Sequence, residues 1–259
     1  MSKDPGVAAA PVLEVRGLTA GYGGAAVIRN VDITVRRGEV VALLGPNGAG
    51  KTTTMRAISG VLRPMAGSVI FLGQDAARLS PQGLARRGLV HVPEGRGIFH
   101  SLTVAEHLRI IRAVRGADLA RVLEIFPVLG ALRDRRAGLL SGGEQQMLAL
   151  ACALARRPAL LLADELSLGL APVVVESLLP RIREFADESG AAVLLVEQHA
   201  HVALDIADRA YALAHGEVVL AREARQLRHD RGLLVASYLG ETLVADGSEA
   251  GTGHENTRQ

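Results

Sequence analysis

The chain has 259 residues, 49% of them hydrophobic, enough for one large α/β domain or two small ones around a packed core. Its 29 basic residues against 27 acidic ones leave a net charge of +2, so nucleic acid is not an expected partner, and a single cysteine, Cys152, excludes an internal disulfide and suits a reducing compartment. No apolar run approaches the roughly 18 residues of a membrane span, and the first residues lack the apolar stretch of a signal peptide, so any service to a membrane is expected from its water side.

Residues 1–11 are small and polar, with Pro5 and Pro11, and read as a loose tail. Strands are predicted at 12–16 and 27–35. A continuous apolar run at 40–44 (VVALL) then suits a central parallel strand covered on both faces. That run feeds Gly45-Pro46-Asn47-Gly48-Ala49-Gly50-Lys51-Thr52, and a helical pattern over 51–60 follows. The octet satisfies G-x-x-x-x-G-K-[ST], with the apolar strand before it and the helix after it that the motif requires. Its glycines let successive backbone N–H groups turn toward one point, and the helix start adds its positive end. The β- and γ-phosphates of ATP would meet a ready anion site there. Lys51 is expected to reach the phosphate oxygens, the Thr52 hydroxyl to ligate Mg²⁺, and Thr53 to extend the nucleotide contact. Lysine occurs only at Lys3 and Lys51, and the second position calls for a compact point charge rather than the wide fork of arginine.

Further strands are predicted at 68–72 and 89–92, and the stretch from about 94 to 158 is mostly helical, an insertion between two core strands. The next apolar run, 159–163 (ALLLA), ends in Asp164 and Glu165. Asp164 is placed to hold Mg²⁺, directly or through water, and Glu165 to polarise the water that attacks the γ-phosphate. Alone, such a pair reads equally well as a solvated strand end; the phosphate loop upstream gives it chemistry. Helices at 172–189 and 201–207 flank a third apolar run at 192–196 (AVLLV), and 244–259 reads as a second loose tail. The alternation predicts an α/β fold with a wound, mainly parallel sheet.

Leu140-Ser141-Gly142-Gly143-Glu144-Gln145-Gln146 resembles the signature sequence of ATP-binding-cassette proteins. Ser141 and the two glycines would open a helix predicted over 144–155, making a second anion site at a helix start. The resemblance covers residues 12–243 and implies a P-loop NTPase core with a small N-terminal antiparallel β subdomain and an inserted helical subdomain at about 94–158. It also implies a head-to-tail dimer with a second cassette, a homologue or another copy. Each ATP would lie between the phosphate loop of one subunit and Ser141, Gly142 and Gly143 of the other. Transmembrane permease subunits would dock on 94–108, where Ile98 and Phe99 are either contact or core residues, at the cytoplasmic face of a bacterial-type membrane. Tyr22 sits where the family stacks an aromatic ring on adenine; the alternative is a half-buried strand tyrosine.

Within the family, the loop Ser167-Leu168-Gly169-Leu170-Ala171-Pro172 ends in Ala-Pro where Asp-Pro is usual. That form is similar to the second ATPase subunit of branched-chain amino acid uptake systems. So are Val92-Pro93-Glu94-Gly95-Arg96, Val196-Glu197-Gln198 and Tyr238-Leu239-Gly240. Glu94 replaces the usual glutamine; its carboxylate can ligate Mg²⁺ or accept from water but cannot donate. Counting back from Asp208-Arg209 puts Gln198 at the γ-phosphate switch normally held by histidine, with His199 one residue later and pointing elsewhere if the strand continues. Gln198 is the favoured contact and His199 the alternative, while His201 reads as a surface residue. Leu166 replaces a proline and Cys152 an arginine. The implied function is ATP hydrolysis driving an amino-acid importer; the alternative is a soluble or regulatory cassette acting as a nucleotide-gated switch.

Overall fold

The computed structural model describes residues 10–114, 116–197, 200–230 and 232. In chain order the strands are β1 (Leu13–Tyr22), β2 (Ala25–Val35), β3 (Val40–Leu44), β4 (Ala66–Phe71), β5 (Gln74–Asp75), β6 (Leu89–Val92), β7 (Leu160–Asp164), β8 (Ala192–Glu197), β9 (Arg209–Ala214) and β10 (Glu217–Glu223). The helices are α1 (Lys51–Ile58), α2 (Pro81–Arg86), α3 (Val104–Arg112), α4 (Leu119–Ile125), α5 (Val128–Ala131), α6 (Gly142–Leu154), α7 (Pro172–Ser189), α8 (Ala200–Ile206) and α9 (Ala224–His229). Two sheets result: an antiparallel one ordered β2-β1-β4-β5, and a larger one ordered β10-β9-β3-β8-β7-β6. All pairs in the larger sheet are parallel except β9 with β10.

The three apolar runs become the buried centre of that sheet. Every residue of β3, β7 and β8 is buried, and successive side chains alternate between two cores as a strand period of two requires. Val40, Ala42 and Leu44 face one core with Leu161, Ala163, Val193 and Leu195. Val41 and Leu43 face the other, shared with α1 and the antiparallel sheet. Each such leucine or valine contributes about 1.5–3 kcal/mol relative to exposure, so the register of these strands is strongly specified. Because β3, β8 and β7 are parallel and in register, their carboxyl ends arrive side by side: Leu44 pairs with Glu197, and Asp164 with Val196.

Helices α3 to α6 occupy the segment between β6 and β7, where the helical insertion was expected. α3 opens on a capping box in which the Thr103 hydroxyl accepts from the Glu106 N–H and the Glu106 carboxylate accepts from the Thr103 N–H. α6 begins at Gly142, two residues ahead of the expected start, because Ser141 is its cap. The first strand runs past its expected end at Arg16, through a register shift between Val15 and Leu18, to Tyr22. Ile98 packs against the core, as one of its two expected alternatives has it, whereas Phe99 is 60% exposed. Among the described residues no helix is long and apolar enough to cross a membrane.

Candidate functional site

The strand β3 ends at Leu44, and Gly45, Pro46, Asn47, Gly48, Ala49 and Gly50 carry the chain into α1. Gly50 sits at φ 105°, and a Cβ there would come within 2.5 Å of Ile28 Cγ2, so only glycine fits. No side chain caps α1, which leaves its first-turn N–H groups directed at whatever occupies the mouth of the loop. Lys51 is buried; its ammonium donates to the carbonyls of Gly45 (2.9 Å) and Pro46 (3.2 Å) and pairs with the Glu165 carboxylate at 3.3 Å. Asn47, Gly48, Lys51, Thr52, Glu94 and Glu165 line an open depression of about 370 Å³, and Thr53 borders it too.

The Thr52 hydroxyl donates to Asp164 at 3.5 Å. Burial pushes the Asp164 carboxyl up to about 6, against the Thr52 hydrogen bond, and the nearby Glu165 and Glu94 carboxylates add to the rise. Among the described residues no group of three His, Cys, Asp or Glu side chains could hold a metal alone. Mg²⁺ does not need one: it takes one or two carboxylates and completes its octahedron with phosphate oxygens and water. The hard oxygens of Thr52 and Asp164, with Glu94 beside them, fit an ion shared with a triphosphate. Glu165 adopts φ 49°, a conformation that costs a non-glycine residue about 1–3 kcal/mol, and its N–H donates to the Val196 carbonyl at 2.9 Å. Leu166 is buried in the core, so burial anchors the loop at the position where Leu166 replaces a stiffening proline.

At the signature segment the Ser141 hydroxyl accepts from the Glu144 N–H (3.3 Å), and the Glu144 carboxylate accepts from the Ser141 N–H (2.7 Å). Gly143 packs on α7, where a Cβ would lie 2.9 Å from Val174 Cγ1. Ser141, Gly142 and Gly143 do not line the depression at Lys51. Arg96 bridges the two regions: its guanidinium donates to Gln145, and to Gln146 at 3.3 Å, tying the Glu94 loop to α6. Tyr22, 46% exposed at the end of β1, accepts a hydrogen bond from Arg56 of α1 at 3.1 Å and does not line the depression. His201 is exposed on α8, as expected. Gln198, His199 and the Tyr238-Leu239-Gly240 segment lie outside the described residues.

One residue of this region has no counterpart among the expected site residues. Glu197, the last residue of β8, is completely buried and accepts from both the N–H (3.1 Å) and the hydroxyl of Ser167. Burial pushes its carboxyl up to about 7, opposed by the Ser167 hydrogen bonds and reinforced by the Glu165 and Asp164 carboxylates. The signal was a carboxylate closing an otherwise apolar run, AVLLVE. Its partner lies 30 residues earlier, which no local pattern reveals.

Known proteins resemble the chain over most of its length. The profile of the ABC transporter family matches residues 28–167. The high-affinity branched-chain amino acid transport ATP-binding protein BraG of Pseudomonas aeruginosa is 41% identical over 230 residues, covering 87% of this chain and 94% of its own. The lipopolysaccharide export system ATP-binding protein LptB of Escherichia coli K12 is 34% identical over 238 residues, covering 88% and 97% respectively. The structure of a dimeric bacterial ABC transporter cassette superposes with a TM-score of 0.74 at 26% identity, covering 82% of this chain and 99% of that one. The chain therefore belongs to the ABC transporter family, as one of its ATP-binding, ATP-hydrolysing cassettes.

Proposed function

We propose that this cassette powers an importer of branched-chain or related amino acids from the cytoplasmic face of the membrane, with its ATPase domain spanning residues 12–243. The carrying observation is the 41% identity to the branched-chain amino acid protein over most of both chains, against 34% to the lipopolysaccharide exporter. The Ala171-Pro172 loop end and Glu94 support the same subgroup.

On this reading two cassettes, identical or homologous, meet head to tail. Lys51 and the first-turn N–H groups of α1 hold the β- and γ-phosphates. Thr52, Asp164 and Glu94 hold Mg²⁺, which when bound neutralises charge on the transferring phosphoryl group. Glu165 exchanges its pairing with Lys51 for the attacking water, accepting a proton as the water adds in line to the γ-phosphorus and the bond to the β–γ bridging oxygen breaks, releasing ADP and inorganic phosphate. Ser141, Gly142 and Gly143 of the opposite cassette close the other side. Gln198, or His199 in its stead, contacts the γ-phosphate, and Tyr22 stacks on adenine. A permease helix rests beside exposed Phe99, at an apolar cleft lined by Pro93, Ile98, His107, Ile110 and Ile111, so that closure of the dimer moves the membrane partner.

Deleting the gene and measuring uptake of radiolabelled leucine tests the importer. Uptake should fall and return with the wild-type copy but not with Glu165→Gln. Unchanged amino-acid uptake together with a lipopolysaccharide export defect would contradict it, and no transport defect of either kind would favour a regulatory cassette.

A further inference from the structure

We infer that Glu197 is a positioning residue for hydrolysis: by clasping Ser167 it fixes the backbone turn from which Glu165 reaches the phosphate site. The inference rests on the assignment of Glu165 as the group that orients the attacking water.

A buried carboxylate is costly unless its oxygens are satisfied, and an apolar residue would complete β8 more cheaply. Both Glu197 oxygens are instead committed to one residue, accepting from the N–H and the hydroxyl of Ser167. The residue before Glu197 holds the same turn from its other end, where the Val196 carbonyl accepts from the Glu165 N–H. Between these two anchors lie only Glu165, in its left-handed conformation, and Leu166, locked into the core. Beyond Ser167 the loop closes on itself: the Leu168 N–H donates to the Glu165 carbonyl (3.1 Å) and the Leu170 N–H to the Ser167 carbonyl (3.1 Å). A residue held at an unfavourable φ persists only where its surroundings over-determine it, and the end of β8 supplies that constraint. Released from Glu197, the turn can relax toward ordinary φ values, which swings the Glu165 carboxylate away from Lys51. The same clasp aligns Ser167–Pro172, the loop expected to cross the dimer interface, with the catalytic turn.

Glutamine at position 197 can reproduce both bonds, its carbonyl accepting from the Ser167 N–H and its amide donating to the Ser167 hydroxyl, whereas alanine supplies neither. The experiment uses the full chain and measures steady-state ATP turnover, equilibrium ATP binding and hydrogen exchange at the Ser167 amide for Glu197→Ala, Glu197→Gln, Ser167→Ala and the control Glu165→Gln. Glu197→Ala should lower kcat on the order of 10- to 100-fold with KM and ATP affinity within about twofold of wild type, the cost of misplacing a catalytic group by about 1 Å. Glu197→Gln should restore most of the rate, Ser167→Ala should fall between them, and the Ser167 amide should lose protection in Glu197→Ala alone. Turnover of Glu197→Ala equal to wild type, or equal loss in Glu197→Ala and Glu197→Gln, would overturn the role of Glu197. Should Glu197→Ala not fold, a wild-type rate in Ser167→Ala would overturn it instead. Full turnover in Glu165→Gln would remove the assignment of Glu165, a failure separate from that of the clasp, which the hydrogen exchange reads without turnover.

Discussion

Two helices begin at glycine-rich sequences in which an anion site was expected, and they begin differently. α1 starts after Gly50 with no side-chain cap, over a buried lysine. α6 starts after Ser141 with a reciprocal capping box, and the Glu144 carboxylate is placed in its first turn. An uncapped start leaves N–H donors for a ligand, while a capping box satisfies two of them internally and adds a negative charge that disfavours an anion. The phosphate loop is thus built to hold a triphosphate by itself. The signature segment is stable without one, and on the proposed function it engages a phosphate only when a second cassette presents it. Ser141 keeps that option: its oxygen accepts from Glu144 while its hydroxyl proton remains to donate.

The contrast breaks first at Lys51. Lys51→Ala removes charge-assisted bonds to phosphate and leaves the Glu165 carboxylate facing the nucleotide without its cation, so ATP affinity should fall about 10- to 100-fold in an equilibrium titration. Normal affinity would mean that α1 does not hold the triphosphate.

Acid should act on the same side of the contrast. The Asp164 carboxyl, raised to about 6, must be deprotonated to hold Mg²⁺. Mg²⁺ affinity of the ATP complex should therefore be steady above pH 7 and weaken as pH falls through 6, reaching about tenfold by pH 5. A profile in that range no steeper than that of Asp164→Asn would remove Asp164 as the titrating group.

At α6 the expected effects are smaller and fall on turnover. Ser141→Ala should leave ATP affinity of the dilute chain unchanged while lowering turnover about fivefold, the value of one hydrogen bond. A matching loss of affinity would show that Ser141 contacts ATP within its own subunit. Glu144→Ala removes the bond to the Ser141 N–H and should cost about 1 kcal/mol or less in thermal unfolding, with ATP affinity again unchanged.

What could be read from the chain alone followed the range of the interactions concerned. The phosphate loop is eight consecutive residues, and β3, β7 and β8 announce themselves as short unbroken apolar runs. The predicted bounds of α7, 172–189, are those observed, because Pro172 pre-sets its first turn and Gly190 ends it in the left-handed conformation. The first strand is predicted to end at Arg16, where the structure has an irregular pairing rather than an end. β9 and β10 are not among the predicted strands, and β10 is a largely exposed edge strand whose pattern says little about pairing. The Glu197–Ser167 clasp and the Arg96 bridge to Gln145 and Gln146 join residues 30 to 50 positions apart, so their partners are visible only in the fold. The preference for Gln198 over His199 stands as a proposal, since both lie outside the described residues.

The most direct test of the account is Mg-ATP hydrolysis by the purified chain and its Glu165→Gln variant across protein concentration, alongside ATP binding. Two half-sites that complete each other predict turnover rising faster than linearly in the wild type. Glu165→Gln should lower turnover about 10²- to 10⁴-fold and leave ATP binding intact. Turnover strictly proportional to concentration, or retained in the variant, would contradict it.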